Sequence, residues 1–268
     1  MKYKVLALDI DGTLVGSDHN VLPETKEALI AAQKKGLKVV LASGRPTPGM
    51  MALSKELQLE KYGGFVLSYN GGRITNMQTG EVVHEQFLTP SEAHEIYDLA
   101  KRLGVNMMAY DGNDILTVDH DEYIQLESDI NEMPLREIKD FKSEVVNNTI
   151  KTLTTGAPER IAEVEQVYLE EFSEKFSICR SMPFFLEVMP QGINKAASLE
   201  RLLDSLGLSR EDMVACGDGF NDVEMIRFAG LGIAMGNAVA ETKAVADYVT
   251  KSNDDNGIVD VLEQFIFV

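Results

Sequence analysis

A short apolar run near the start of the chain leads directly into two acidic residues. Val5–Leu8 is predicted to be a buried strand, and Asp9, Asp11 and Gly12 follow it immediately. Side chains fan outward at the end of a strand, so the two carboxylates can face one small volume, and Gly12 lets the chain turn where a side chain would obstruct a ligand. Two carboxylates held this close repel each other unless a cation or a retained proton relieves the charge. The segment therefore favours a site for a divalent metal.

Two other interpretations of this acidic segment compete with a metal site. The first is a solvated turn after a strand, which these residues by themselves leave open. The second is a calcium loop of the EF-hand type, which has glycine at its sixth position and glutamate at its twelfth. Counted from Asp9, those positions hold Leu14 and Asn20, so the calcium-loop interpretation fails.

The next two elements continue a strand, helix, strand alternation. The segment Pro23–Gly36 has proline at its start, acidic residues in its first turn, lysines in its last turn and glycine at its end, which together predict a helix. Lys38–Ala42 is a second apolar strand, and Ser43 follows it. At this spacing the unit is a right-handed βαβ unit with parallel strands, whose carboxyl ends emerge at one edge where ligands bind. We therefore expect Ser43 to lie beside the two aspartates.

The alternation stops in the middle of the chain. A strand at Phe65–Ser68 continues it, but Asn70–Gly71 then indicates a hairpin turn and antiparallel structure. Short strands and helices follow, and the alternation resumes after Pro190. The pattern predicts an α/β protein with a parallel-sheet, Rossmann-like core into which a second, α+β domain is inserted. The predicted limits are residues 1–83 and 191–268 for the core and residues 84–190 for the insert.

The predicted insert contains a further acidic string, Asp111–Asp114. Glu122 occupies the twelfth position of a calcium loop counted from Asp111, but Ile115 and Leu116 stand where such loops carry a ligand and a glycine. We therefore predict a hairpin turn here and not a calcium site.

A second acidic segment, Gly217–Asp222, follows the predicted strand Met213–Cys216. A turn rich in glycine, asparagine and aspartate is commonly only a turn. Two acidic strand ends in one parallel sheet are a stronger signal, because Asp9, Asp218 and Asp222 would form an oxygen-only site suited to Mg²⁺. Lys195, at the start of a helix leading back into the sheet, could supply the positive charge that a phosphate needs, although a lone lysine is usually a solvated surface residue.

These segments resemble, in order, the four motifs of the haloacid dehalogenase-like (HAD) superfamily of phosphotransferases. The matching residues are Asp9-Ile10-Asp11-Gly12-Thr13, Ser43-Gly44-Arg45, Lys195 and Gly217-Asp218-x-x-Asn221-Asp222. An insert between the second and third motifs is similar to the Cof-type branch, the sugar-phosphate phosphatases with a C2B cap. The resemblance covers the whole chain and disfavours a mere turn at Asp9.

The resemblance implies a role for each matching residue. Asp9 would be the nucleophile, and Asp11 would be the general acid and base and would offer its backbone carbonyl to Mg²⁺. Asp218 would be a metal ligand and Asp222 would support the metal's waters. The residues implied in metal binding are Asp9, Asp11, Asp218 and Asp222, and those implied in phosphate binding are Gly12, Ser43, Gly44, Lys195 and Asn221. Arg45 is interpreted either as a substrate contact or as a structural arginine, and Arg180 is a candidate for specificity.

The function that the resemblance implies is a Mg²⁺-dependent phosphatase acting on small phosphorylated metabolites, with sugar phosphates the expected class. Asp11 disfavours a dehalogenase, because dehalogenase members lack this second aspartate and have no leaving-group oxygen to protonate. Two alternatives stay open. One is a phosphomutase that passes the phosphoryl group to another sugar hydroxyl, and the other is a non-catalytic sensor of phosphorylated metabolites.

Charge and apolar content limit the partners. The chain has 25 lysines and arginines against 43 acidic residues, and its net charge of −18 would repel nucleic acid and anionic membranes. No apolar run approaches the roughly 18 residues of a membrane span, and Met1–Lys4 leads into a strand without a signal-peptide core. We therefore expect a cytoplasmic protein. Cys179 and Cys216 fall in different predicted domains, so we expect reduced, buried thiols.

Overall fold

The computed structural model describes residues 2–267 and divides into two compact units. The first unit comprises Met1–His84 and Asn194–Val268, and the second comprises Glu85–Ile193. The second unit begins one residue later than expected from the sequence, at residue 85 and not 84. It ends three residues later, at residue 193 and not 190. The predicted α/β fold class, with a mainly parallel sheet, is confirmed.

Strands and helices are numbered here in chain order. The strands are β1 (Val5–Leu8), β2 (Lys38–Ala42), β3 (Phe65–Ser68), β4 (Arg73–Asn76), β5 (Val82–Glu85), β6 (Asn106–Asp111), β7 (Asp114–Thr117), β8 (Leu135–Glu137), β9 (Thr152–Thr155), β10 (Phe176–Met182), β11 (Phe185–Pro190), β12 (Met213–Gly217), β13 (Leu231–Ala234) and β14 (Tyr248–Val249). The helices are α1 (Pro23–Lys34), α2 (Met51–Glu56), α3 (Leu59–Tyr62), α4 (Pro90–Leu103), α5 (Glu122–Asn131), α6 (Phe141–Glu144), α7 (Pro158–Phe172), α8 (Lys195–Ser205), α9 (Val223–Phe228), α10 (Ala240–Val245) and α11 (Gly257–Val261).

The first unit is built on a sheet in which β1 is central. The strand order is β14-β13-β12-β1-β2-β3-β4-β5, and β1 runs parallel to both of its neighbours. Every residue of β1 is buried, as expected for a parallel strand covered on both faces. Leu8, at its end, is opposite Leu41 of β2 and Cys216 of β12. The residues that follow these three strands therefore emerge together at one edge of the sheet.

Helices cover the two faces of this sheet. On one face Leu29 of α1 packs in a core cluster with Leu8, and on the other face Leu199 of α8 packs in a cluster with Val5. Alternate residues of β1 thus supply both cores, because side chains alternate across a strand. β3 pairs antiparallel with β4, which confirms the hairpin predicted at Asn70–Gly71.

The second unit contains a six-stranded sheet with the order β10-β11-β9-β6-β7-β8. Residues of α4 and α7 pack in one core cluster with this sheet. Helix α4 opens with a capping box: Thr89 Oγ1 accepts a hydrogen bond from the Glu92 amide at 3.3 Å, and Glu92 accepts one from the Thr89 amide at 2.7 Å. Strands β6 and β7 pair antiparallel with Asp111 opposite Asp114, so the hairpin turn predicted there is confirmed.

Two expectations about membrane spans and cysteines are also addressed by the structure. Across residues 2–267, no helix combines the length and the apolar character needed to cross a membrane.

Cys216 is buried in the first unit, whereas Cys179 in the second unit is half-buried. The prediction of two buried thiols was therefore wrong for Cys179, because β10 is an outer strand of its sheet and its side chains are less covered.

Candidate active site

Polar residues follow three adjacent strands of the first unit. Asp9 follows β1, Ser43 follows β2 and Asp218 follows β12. The Asp9 amide donates to the Cys216 carbonyl at 3.0 Å, and the Ser43 amide donates to the Leu67 carbonyl at 2.9 Å. These bonds continue the pairing between strands by one residue, so the backbone of Asp9 and of Ser43 is fixed at the edge of the sheet.

Lys195 is buried and bridges two carboxylates. It is the first residue of α8, whose cap is Asn194, which accepts a hydrogen bond from the Ala197 amide at 2.8 Å. Its Nζ donates to Oδ1 of Asp9 and to Oδ1 of Asp222, both at 2.6 Å, and its side chain is 1% exposed. Burial alone would lower the pKa of Lys195, but the charges of Asp222 and Asp9 outweigh it and raise that pKa. Lys195 is therefore a fixed positive charge and not a solvated surface residue.

Asp9, Asp218 and Asp222 form an acidic cluster. One carboxylate oxygen of each lies within 4.8 Å of the others. Burial and the charge of Asp222 raise the pKa of Asp218 to about 6, and the same two causes raise the pKa of Asp9 well above its usual range despite Lys195. Three carboxylates facing one ammonium group leave excess negative charge, and all the donor atoms are oxygen. The cluster can therefore hold a divalent cation.

Asp222 is fully buried and is also hydrogen-bonded within the protein. Its Oδ2 accepts hydrogen bonds from the amides of Asp218 at 3.0 Å and Gly219 at 2.9 Å, while its Oδ1 accepts from Lys195. These bonds close the loop between β12 and α9 and orient Asp218. The supporting role that the resemblance implies for Asp222 stays a prediction.

Asp11 is paired with Arg45. Arg45 donates from Nε to Asp11 Oδ2 at 2.8 Å and from Nη2 to Oδ1 at 2.5 Å. The Arg45 amide also donates to Ser43 Oγ at 3.2 Å, which ties the loop after β2 to the same place. The Asp11 carboxylate is not part of the acidic cluster found in residues 2–267, so the contribution expected of Asp11 to a metal is its backbone carbonyl.

Gly12 lies where a larger residue would not fit. Its φ is 82°, and a Cβ placed on it would lie 2.4 Å from Oδ2 of Asp218. Thr13 Oγ1 donates to Oδ1 of Asp218 at 2.9 Å, and Asn237 Nδ2 donates to the Gly12 carbonyl at 2.8 Å. Asn237 was not predicted from the sequence. The sequence feature that could have identified Asn237 is its place shortly after β13, the next parallel strand of the sheet.

Asn221 is hydrogen-bonded to Asn70, which, like Asn237, was not predicted from the sequence to be part of the site. Its Nδ2 donates to Oδ1 of Asn70 at 3.0 Å. The sequence pattern at Asn70 indicates only a hairpin. The signal that could have found it is the parallel pairing of β3 with β2, which brings another polar strand end to the same edge. Gly44, between Ser43 and Arg45, is the remaining residue of the second motif.

Arg180 belongs to the second unit. Its Nη2 pairs with Glu165 Oε2 at 3.2 Å, which joins β10 to α7 within that unit. Its role in specificity stays a prediction.

Comparisons with known proteins agree over nearly all of the chain. The model of the haloacid dehalogenase-like hydrolase family matches residues 6–262. A crystal structure of a haloacid dehalogenase-like hydrolase from Bacteroides thetaiotaomicron is 41% identical, with a TM-score of 0.90, and the match covers 98% of this chain and 99% of that one. A structure described as a HAD subclass IIB sugar phosphatase is 29% identical, with a TM-score of 0.84 and 98% coverage of both chains. "Putative phosphatase YxeH" of Bacillus subtilis is 33% identical, with 98% of each chain covered.

Proposed function

The chain belongs to the haloacid dehalogenase-like hydrolases and is a phosphoric monoester hydrolase, and we propose that it is a Mg²⁺-dependent phosphatase working through an aspartyl-phosphate on Asp9. The observation that carries the proposal is the buried Lys195, which contacts Asp9 and Asp222 beside Asp218. Phosphoryl transfer needs chiefly alignment and charge compensation. A fixed ammonium group and an acidic cluster around one carboxylate meet that need.

In the first step, a carboxylate oxygen of Asp9 attacks the phosphorus, and the bond between phosphorus and the leaving-group oxygen breaks. Asp11 donates a proton to that oxygen, so the leaving group departs as a neutral alcohol. Both Asp11 oxygens accept hydrogen bonds from Arg45, and one of them must exchange this partner for the leaving group. Lys195 compensates the phosphoryl charge, and Ser43 and Asn221, with the segment at Gly12 and Gly44, hold the phosphoryl oxygens.

In the second step, a water oxygen attacks the same phosphorus. Asp11, now a carboxylate, takes a proton from that water, and the bond from phosphorus to Asp9 breaks. Inorganic phosphate leaves and the Asp9 carboxylate is restored. Mg²⁺, held by Asp9, Asp218 and the Asp11 carbonyl and supported by Asp222, would supply charge compensation for the phosphoryl oxygens.

The substrates proposed are small phosphorylated metabolites, and sugar phosphates in particular. Support comes from the likeness to a HAD subclass IIB sugar phosphatase. The residues of the first unit named above recognise only phosphate and metal, so we assign selection of the leaving group to the second unit, as a cap, with Arg180 as a candidate contact.

The experiment that tests the proposal is an assay of phosphate release from a panel of phosphorylated sugars and other metabolites. Stoichiometric phosphate release with Mg²⁺, abolished by a chelator and by Asp9→Asn, supports the phosphatase. Conversion to an isomeric sugar phosphate with almost no free phosphate would indicate a mutase instead. Binding of substrate without any turnover would indicate a sensor.

A further inference from the structure

The turn after β3 has an unusual backbone. Tyr69, Asn70 and Gly71 have φ values of 54°, 53° and 106°. Glycine adopts such angles readily, asparagine tolerates them, and for a bulky residue such as tyrosine they are a genuine outlier. Strain of this kind persists only where the surroundings impose it, and it clusters at functional sites. The turn therefore needs an explanation beyond the joining of two strands.

The contacts of the turn show what imposes its conformation. The Tyr69 amide donates to the Arg45 carbonyl at 3.0 Å, and the Asn70 amide donates to the Ser43 carbonyl at 2.9 Å. The Gly71 carbonyl accepts from Ser198 Oγ at 3.0 Å. The turn is thus fixed to the loop that carries Ser43 and to α8, the helix that begins at Lys195.

This backbone directs the Asn70 side chain to Asn221. Oδ1 of Asn70, a residue only 2% exposed, accepts from Nδ2 of Asn221 at 3.0 Å. The Asn221 amide nitrogen thus faces Asn70. An amide nitrogen carries two hydrogens, so Asn221 can donate one to Asn70 and the other to a phosphoryl oxygen.

We propose that Asn70 is a positioning residue for the phosphoryl group, acting through Asn221 with its side chain and through Ser43 with its backbone amide. The proposal rests on the proposed function, in which Ser43 and Asn221 hold that group. It explains why two non-glycine residues keep a left-handed backbone at a buried strand end. The competing explanation is that Asn70 only stabilises the turn.

Asn70→Gly separates the two explanations, because glycine accepts the φ of 53° without strain and removes only the side chain. The melting temperature alone does not separate them, because the loss of a buried side chain and its hydrogen bond lowers stability under either explanation, so activity and affinity are compared per folded molecule. A positioning role predicts that kcat/KM and the affinity for inorganic phosphate in the presence of Mg²⁺ each fall about 10-fold or more, as is usual when the partner of a ligand-binding residue is removed. A purely structural role predicts unchanged activity per folded molecule.

Asn256→Gly is the matched control. Asn256 has a φ of 58°, and its side chain also accepts a hydrogen bond, from Thr25 Oγ1 at 3.2 Å. The same chemical change on the same backbone conformation should leave phosphate affinity and kcat/KM within twofold of the wild type.

A double-mutant cycle with Asn221→Ala identifies the route of the effect. If Asn70 acts through Asn221, Asn70→Gly should cost almost nothing further in the Asn221→Ala background. An undiminished loss in that background overturns the proposal, and so does an Asn70→Gly variant that binds phosphate as the wild type does.

Calorimetric titration with inorganic phosphate measures binding without turnover, so it tests the role of Asn70 separately from the phosphatase activity. If the wild type binds phosphate and the cycle shows coupling, but no phosphate ester is hydrolysed, the inference stands and the phosphatase does not. If phosphate esters are hydrolysed but the cycle shows no coupling between Asn70 and Asn221, the phosphatase stands and the inference does not.

Discussion

Arg45 donates hydrogen bonds to both carboxylate oxygens of Asp11, with Nε 2.8 Å from Oδ2 and Nη2 2.5 Å from Oδ1. A bidentate pair of this kind sets the plane of the carboxylate as well as its place. In the proposed mechanism Asp11 carries the proton for the leaving group, so Arg45 controls the orientation of the proton carrier.

Arg45→Lys keeps the charge but loses the two-point contact, because an ammonium group is a single charge on a flexible chain. We expect kcat to fall about 10-fold for an alkyl phosphate and less for an aryl phosphate, whose leaving group needs little protonation. Steady-state rates with both substrates check this. Equal losses with both would show that Arg45 serves the phosphoryl group and not the proton carrier.

The two opening aspartates should behave unequally when each is changed to asparagine. Asp11→Asn keeps the nucleophile but loses the general acid, which costs about 10²–10⁴ with poor leaving groups. Nitrophenolate escapes most of that penalty, whereas hydrolysis of the aspartyl-phosphate still lacks its base. Rapid mixing with nitrophenyl phosphate should give a burst of about one nitrophenolate per enzyme in Asp11→Asn and none in Asp9→Asn. A burst only in Asp9→Asn would show that the two roles are exchanged. Equal bursts in both variants would show that neither role is assigned correctly.

Lys195→Met should lower kcat by orders of magnitude and destabilise the metal-free protein. It leaves the buried carboxylates of Asp9 and Asp222 without their ammonium partner, and breaking such a buried pair costs about 3–5 kcal/mol. Urea unfolding in chelator measures the stability loss. The double variant Lys195→Met with Asp222→Asn should recover part of the stability but none of the activity. Wild-type stability in the single variant would contradict the charge balance described here.

Metal affinity should fall as the pH drops through about 6. The pKa of Asp218 is raised to about 6 in the folded, metal-free protein, first by burial and then by Asp222, so the carboxylate must lose a proton to bind a cation. The folded pKa exceeds the unfolded one, so this group makes the metal-free protein more stable as the pH falls from about 7 towards 4. Calorimetric Mg²⁺ titrations in two buffers of different ionisation enthalpy should show proton release near pH 6 and little at pH 8. An affinity that is flat from pH 5 to 7 would exclude Asp218 as a ligand.

Gly12→Ala should abolish activity, because its Cβ would occupy space 2.4 Å from Asp218 Oδ2. Gly80→Ala is the control, since Gly80 has a similar φ of 74° and no heavy atom beyond its adjacent residues lies within 4 Å of the place that a Cβ would take there. Both variants should lose about 1–2 kcal/mol from the left-handed backbone, but only Gly12→Ala should lose turnover and Mg²⁺ affinity. Melting curves and phosphate-release assays of the pair separate strain from obstruction. Full activity in Gly12→Ala would mean that Asp218 can move away without consequence.

Much of the scaffold was predictable because it depends on local patterns. The apolar runs at β1, β2 and β12 and the helix signals between them indicate parallel strands. Parallel strands end at the same edge, so Asp9, Ser43 and Asp218 could be grouped from the order of the elements alone. The hairpin at Asp111–Asp114 followed in the same way from the composition of its turn.

The partners of these side chains could not be predicted in this way. Asn70 and Asn221 are 151 positions apart, and Asn237 lies 225 positions from Gly12. Their bonds depend on strand register and on the φ angles of particular turns, which no local pattern specifies. The half-buried Cys179 was missed for a related reason, since its exposure depends on β10 being an outer strand.

By itself, the sequence determined which residues reach the edge of the sheet, because strand polarity and helix signals are written in neighbouring residues. Only the tertiary structure decided how they pair there: Lys195 with Asp9 and Asp222, and Arg45 with Asp11. The physical reason is that a buried or half-buried charge takes the partner that the packed backbone places within hydrogen-bonding distance. That choice is made by the assembled sheet, its turns and α8 together.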